Sequence, residues 1–291
     1  MAVAAFRVPI FDKILSDEAT GSARSAPRWP QRARWTRYDE AMSQADSGDL
    51  LGEGGKRIAF FGGSFDPPHL GHLAVARAAR AAFRLDTVLF APVGAQPLKT
   101  EGSAASFEHR LAMTRLAIAG EPGFAVSLAD APRPSGGRRF APNYTIETLK
   151  GLRATFRPDW ALYCLMGADA FFGLRRWHRA AELPFVAPMI VASRPGQPLE
   201  GLKAALPQGL TLEPAPGGDR IESGVQVCAF FLVNAAEDRA PFYVLPGLDV
   251  EISASEIRAQ IRDALGSQAF RRDLLPAAVR EYIARHELYR A

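Results

Sequence analysis

The sequence predicts an α/β protein with a doubly wound, mainly parallel sheet, helices on both faces and a helical C-terminal part. Three observations carry this reading. From Arg57 onward, short apolar runs alternate with stretches whose apolar residues recur at helical spacing. The strand candidates are short and apolar, as strands covered on both faces are. The 291 residues are 48% hydrophobic and 23% charged, the balance of an ordinary globular chain with a substantial core.

The elements follow in order. Arg57–Phe61 reads as the first strand, ended by Gly62 and Gly63. Leu70–Phe83 is a helix, because Leu70, Leu73, Ala74, Ala78, Ala82 and Phe83 share one face. Thr87–Pro92 is the next strand, Phe107–Ile118 an amphipathic helix and Phe124–Leu128 a strand. Tyr144–Phe156 reads as a helix and Trp160–Met166 as a buried strand, with further strands at Ala187–Ser193, Val225–Val233 and Phe242–Leu245. Gly and Pro crowd the stretch between Pro195 and Gly224, so a long surface excursion is expected over about 197–224. Helices take over from about 252 to 291. Ser253 with Glu256 forms a capping-box pattern ahead of Ile257, Ile261 and Leu265, and Pro276 suits the first turn of a last helix, Ala277–Leu288.

Residues 56–291 therefore form one domain, and residues 1–55 stand apart as a poorly ordered extension. Within it, Ser22–Arg37 carries five arginines (Arg24, Arg28, Arg32, Arg34, Arg37), two prolines and no acid. Asp12, Lys13, Asp17 and Glu18 interrupt any signal-peptide core, and eight acids against seven bases are unlike a transit peptide. No apolar run approaches membrane-spanning length. The net charge of +4 favours small anionic ligands slightly and gives no footprint for nucleic acid. Cys164 and Cys228 lie inside apolar runs and read as reduced core residues of a cytoplasmic protein.

The stretch richest in chemistry is Gly62-Gly63-Ser64-Phe65-Asp66-Pro67-Pro68-His69-Leu70-Gly71-His72, where the first strand gives way to the first helix. In a doubly wound sheet this is the carboxyl edge where ligands bind. The glycines let backbone approach a ligand and take positive φ if needed, and the helix start offers free N–H groups to a phosphate. His69 and His72, three apart, are neighbours on one helical face. Taken singly, a Gly-Gly pair is usually a turn and a lone histidine usually structural. His-x-x-His could ligate zinc, but His109, His178 and His286 supply no third ligand at metal-site spacing.

As a whole, the stretch resembles the signature of the HxGH nucleotidylyltransferase superfamily, whose fold is Rossmann-like. Ile252-Ser253-Ala254-Ser255-Glu256-Ile257-Arg258 resembles its second signature, Ile-Ser-Ser-Thr-x-Ile-Arg, with Ala254 and Ser255 in place of Ser and Thr. Within the superfamily, Pro142-Asn143-Tyr144-Thr145-Ile146-Glu147-Thr148-Leu149 is similar to the Pro-Ser-Tyr-Thr-x-x-Thr-Leu segment of bacterial nicotinate-nucleotide adenylyltransferases. Gly167-Ala168-Asp169, Trp177, Ser193–Gly196 and the Leu275-Pro276…Leu288-Tyr289 ending fit the same family. Where that family often has Pro-Pro-His/Lys, this chain has Ala95-Gln96-Pro97-Leu98-Lys99.

The resemblance implies transfer of AMP from ATP to nicotinate mononucleotide, giving deamido-NAD and pyrophosphate. His69 and His72 would contact the α- and β-phosphates, with Lys99 and Arg258 helping the leaving pyrophosphate. Gly62, Gly63, Ser64, Phe65, Gly167, Asp169, Ser253 and Ser255 would complete the ATP site. Tyr144, Thr145, Asp169, Trp177 and Arg194 would hold the mononucleotide, Trp177 by stacking on the pyridine ring. Mg²⁺ would arrive with ATP, without a dedicated protein metal site, and Asp66 would hold the turn. Neither nucleic acid nor membrane is expected as a partner, and homo-oligomerisation stays open. The alternatives are a nucleotidylyltransferase for another cofactor precursor and a non-catalytic nucleotide sensor.

Overall fold

Strand β1 (Arg57–Gly63) lies inside an eight-stranded sheet, third from one edge. The computed structural model describes residues 55–98, 102–134, 140–193, 199–248, 253–263 and 274–290. The expected extension, Gly55 excepted, lies outside the described residues, as do Lys99 and Arg194.

After β1 come α1 (Leu70–Phe83), β2 (Thr87–Pro92), α2 (Phe107–Ala117), β3 (Phe124–Val126) and a small hairpin, β4 (Arg133–Pro134) with β5 (Phe140–Ala141). The chain continues through α3 (Thr145–Thr155), β6 (Ala161–Gly167), α4 (Ala168–Phe172), α5 (Leu183–Val186) and β7 (Met189–Ala192). Then follow α6 (Leu199–Ala204), β8 (Leu210–Glu222), β9 (Val225–Asn234), β10 (Arg239–Leu245), α7 (Ala254–Asp263) and α8 (Ala277–Arg285). The sheet order is β3-β2-β1-β6-β7-β10-β9-β8. Neighbours from β3 across to β10 pair parallel, whereas β9 pairs antiparallel with both β10 and β8. The chain winds outward from β1 to β3 and then resumes on the other side of β1 with β6. A crevice opens at such a reversal, because the two following connections leave on opposite faces.

Alternation along the strands divides the core. Ala59 and Phe61 face one side with Leu73, Met113, Ile257 and Val279, from α1, α2, α7 and α8. Ile58 and Phe60 face the other with Ile146, Phe171, Leu183 and Leu202, from α3, α4, α5 and α6. Both faces are covered, as expected of a mainly parallel sheet.

The stretch expected as a surface excursion is instead α6 followed by the edge strand β8. Leu202, Leu206 and Ala215 are buried in it. Its prolines and glycines belong to an irregular edge: pairing with β9 slips between Pro214 and Asp219, and Gly217 and Gly218 take positive φ there. Proline is tolerated at sheet edges and bulges, so composition alone imitates a loop. Pro276 sits at the N-cap of α8, one residue before the helix. That helix stops at Arg285, and Glu287 and Tyr289 beyond it have positive φ. No helix among the described residues is long and apolar enough to cross a membrane.

Candidate active site

The turn from β1 into α1 is built from the inside. Neither Gly62 nor Gly63 takes positive φ; the residue that does is Phe65, at 48°. Its ring is buried at 5.6 Å from Phe61 and 4.9 Å from His72, so aromatic packing holds the backbone in a region that side chains disfavour. Gly62 is needed for space instead: a Cβ there would lie 2.8 Å from the Phe60 ring.

His69 caps α1, and its ring stacks on that of His72 with centroids 3.7 Å apart. The His69 backbone N–H donates to Nδ1 of His72 at 3.2 Å. An accepting Nδ1 puts the neutral ring's proton on Nε2, which becomes a donor. Burial, and secondarily the neighbouring His69, hold the His72 pKa well below the usual histidine range. At neutral pH His72 is thus an uncharged donor of fixed tautomer.

The carboxylate of Asp66 accepts from Ala104 N–H at 2.6 Å, Ala105 N–H at 3.1 Å and the Tyr289 hydroxyl at 2.7 Å. Its role is structural, as the sequence suggests. Arg110, 2% exposed, donates to the carbonyls of Ser64 (2.8 Å) and Ala105 (3.2 Å). Arg258 reaches the Asp66 carbonyl at 2.7 Å and the Ser255 hydroxyl at 3.2 Å, joining the second signature to the first. Arg110 and Tyr289 were not apparent as site residues. Arg110 had a legible sign, since it shares the buried face of α2 with Met113 and Ala117.

A cavity of about 720 Å³ opens between the carboxyl ends of β1 and β6. It brings together Gly62, Gly63 and Ser64 with Tyr144 and Thr145, Asp169, and Trp177. His69, His72, Phe65, Gly167, Ser253, Ser255 and Arg258 do not line it. Trp177 is half-buried: it packs on the core and presents surface to the cavity. Cavity residues not anticipated are Asp130, Asn143, Arg176 and His178, the last with its ring 4.4 Å from that of Tyr144. Cys164 also lines it, but burial pushes its thiol up to about 12, leaving it inert at neutral pH.

Asp130 is 3% exposed and accepts from the Thr148 hydroxyl. Burial raises its pKa, against the smaller opposing pulls of Thr148 and Arg133. The folded protein therefore holds this proton more tightly than the unfolded chain, and stability is lost as pH rises through the window between the ordinary and the raised value. Asp130→Asn keeps an acceptor for Thr148 and removes the buried charge. Its melting temperature should exceed the wild type's at pH 7, with the gain shrinking towards about pH 4. Equal melting temperatures at pH 7, or a gain that grows on acidification, would contradict this account.

A family model described as cytidylyltransferase-like matches residues 60–260. A probable nicotinate-nucleotide adenylyltransferase of Thermomicrobium roseum is 36% identical over 80% of this chain and 92% of its own length. A probable nicotinate-nucleotide adenylyltransferase of Bordetella petrii is 39% identical over 81% of this chain and 100% of its own length. This chain belongs to the nicotinate-nucleotide adenylyltransferase family. Among solved structures, the Plasmodium falciparum nicotinic acid mononucleotide adenylyltransferase complexed with NaAD has the same fold. It aligns with a TM-score of 0.56 at 16% identity, over 80% of this chain and 97% of that one. The family membership rests on the sequence relatives, which align over about four fifths of this chain.

Proposed function

We propose that the cavity and the adjoining histidine turn transfer AMP from ATP to nicotinate mononucleotide, giving deamido-NAD and pyrophosphate. The observation that carries this reading is the meeting, at one sheet reversal, of the β1–α1 turn with the start of α3, Asp169 and Trp177. The membership of the family established above agrees with it.

The substrate's 5′-phosphate is ionised at neutral pH and is itself the nucleophile. Its oxygen bonds to the α-phosphorus of ATP as the α–β bridging bond breaks, and pyrophosphate leaves with that electron pair. No base or covalent enzyme intermediate is required, so the protein acts by alignment and by stabilising the charge that develops. His72 supplies an Nε2–H donor that needs no reprotonation, and His69 stacks beside it. Arg258, with Ser253 and Ser255 at the start of α7, serves the departing phosphates, a role the family resemblance also gives to Lys99. Mg²⁺ enters as part of the ATP substrate, neutralising phosphate charge while keeping several of its waters. The Asp66 carboxylate already accepts three hydrogen bonds, which suits it to the turn rather than to a metal. Reactants of this kind, free nucleotides, suit a cytoplasmic enzyme.

At the other end, the N–H groups of Tyr144 and Thr145 at the start of α3 would meet the nicotinate carboxylate, Trp177 its ring and Asp169 its ribose. A carboxylate accepts from both N–H groups, whereas an amide turns an NH₂ towards one of them or leaves it unpaired. Each mismatch costs about 1–3 kcal/mol, so kcat/KM should favour the acid over nicotinamide mononucleotide by a factor of order 10². Pyrophosphate release from ATP, measured with each mononucleotide side by side, tests this. Trp177→Ala should weaken both substrates and leave the preference in place. Equal efficiency on both would remove Tyr144 and Thr145 from acid recognition, and no release with any mononucleotide would leave a nucleotide sensor.

A further inference from the structure

This chain departs from the Pro-Ser-Tyr-Thr pattern at Asn143, immediately before the two residues that open α3. Asn143 is buried, 5% exposed, and its amide is hydrogen-bonded through both its oxygen and its nitrogen. Its backbone N–H donates to the Ala95 carbonyl at 2.9 Å, and its Oδ1 accepts from the Ala95 N–H at 3.0 Å. Its Nδ2 donates to the Ala131 carbonyl at 3.2 Å. A backbone donor on one side and a backbone acceptor on the other leave the amide a single orientation.

The two partners belong to different loops. Ala95 follows β2, and Ala131 follows β3. Those loops are pressed together beneath the cavity: the Gly94 N–H donates to the Asp130 carbonyl at 2.7 Å, and a Cβ on Gly94 would lie 2.6 Å from Pro132 Cα. The β2 loop continues to Gln96, whose Oε1 accepts from the Ser64 hydroxyl at 3.2 Å, at the start of the phosphate turn. One side chain thus ties the start of α3 to both loops, and through Gln96 to the end of β1. Serine, with one short hydroxyl, cannot span both partners as the planar amide does.

We propose that Asn143 is a positioning residue of the mononucleotide pocket, bridging the β2 and β3 loops so that the first-turn N–H groups of α3 stand where the substrate's acid group reaches them. This rests on the reading that the pocket takes nicotinate mononucleotide. Asn143 touches no reacting atom; it acts through the backbone of Tyr144 and Thr145. Displacement of such donors by an ångström is enough to cost an order of magnitude or more.

Steady-state kinetics of the full chain, with each substrate varied in turn, provide the test. Asn143→Ala should raise KM for nicotinate mononucleotide by about ten-fold or more, keep KM for ATP within about two-fold and narrow the acid preference. Asn143→Ser, retaining one of the two side-chain bonds, should fall between it and the wild type. Should the alanine variant fail to fold, the serine variant decides alone: an intermediate KM shift supports the role, and an unchanged KM overturns it. Parallel rises in both KM values that track a loss of melting temperature would reduce Asn143 to packing and overturn the proposal. Wild-type turnover of nicotinate mononucleotide with unshifted variants sinks the proposal alone, whereas a wild type inactive on that substrate sinks the substrate reading and the proposal with it.

Discussion

His72→Ala is expected to lower kcat by roughly 10² to 10³ while ATP still binds, the scale of one lost donor to transition-state charge. The alanine variant removes two things at once, because Nδ1 of His72 also holds the His69 N–H at the start of α1. His72→Asn separates them. Its Oδ1 can stand near Nδ1 and keep the helix start, but it has nothing in the place of the Nε2–H donor. Both variants should therefore lose turnover, and only alanine should also loosen the turn. Calorimetry with a non-hydrolysable ATP analogue, beside single-turnover rates, measures the two effects. An asparagine variant turning over near the wild-type rate would take His72 out of catalysis.

The largest stability loss is expected at Asp66. Asp66→Ala leaves the Ala104 and Ala105 N–H groups and the Tyr289 hydroxyl without their acceptor. Hydrogen bonds to a charged group contribute about 1.5–3 kcal/mol each, and shared losses are not additive, so about 4 kcal/mol in all is a fair scale. Tyr289→Phe removes only one of the three and should cost about a third as much. Denaturant unfolding of the two variants checks the ratio. Equal losses would mean that Tyr289, not the Ala104 and Ala105 N–H groups, carries the role of the carboxylate.

Much of the fold was legible because local pattern and tertiary role agree. The spacing over Leu70–Phe83 and the apolar run Thr87–Pro92 match the observed α1 and β2 residue for residue. Reading failed where composition had two physical causes: prolines and glycines over 197–224 mark an irregular edge strand as readily as a loop. In the site, the contiguous motifs were legible and their supports were not. Asp130 and Tyr289 act through partners brought near only by folding, and nothing beside them in the chain announces it, whereas the place of Arg110 on a buried helix face shows its burial but not its partners. Asn143 was visible as a departure, but what its amide spans depends on two loops whose approach the sequence does not encode locally.

The bonds that close the phosphate turn set an order of events in time. Asp66 and Tyr289 are 223 residues apart along the chain, and Asp66 and Arg258 are 192 apart. At synthesis rates of about 5–20 residues per second, the turn emerges tens of seconds before its locks exist. The early strands can pair in that interval, since their partners are close behind, but contacts of such long range form late. A nascent chain halted before α7 would carry both histidines and the Arg110 support of their loop, and still lack Arg258 and Tyr289, which complete its fastening. On refolding, nucleotide affinity should accordingly arrive with the docking of α7 and α8, after the sheet's own signal has levelled off.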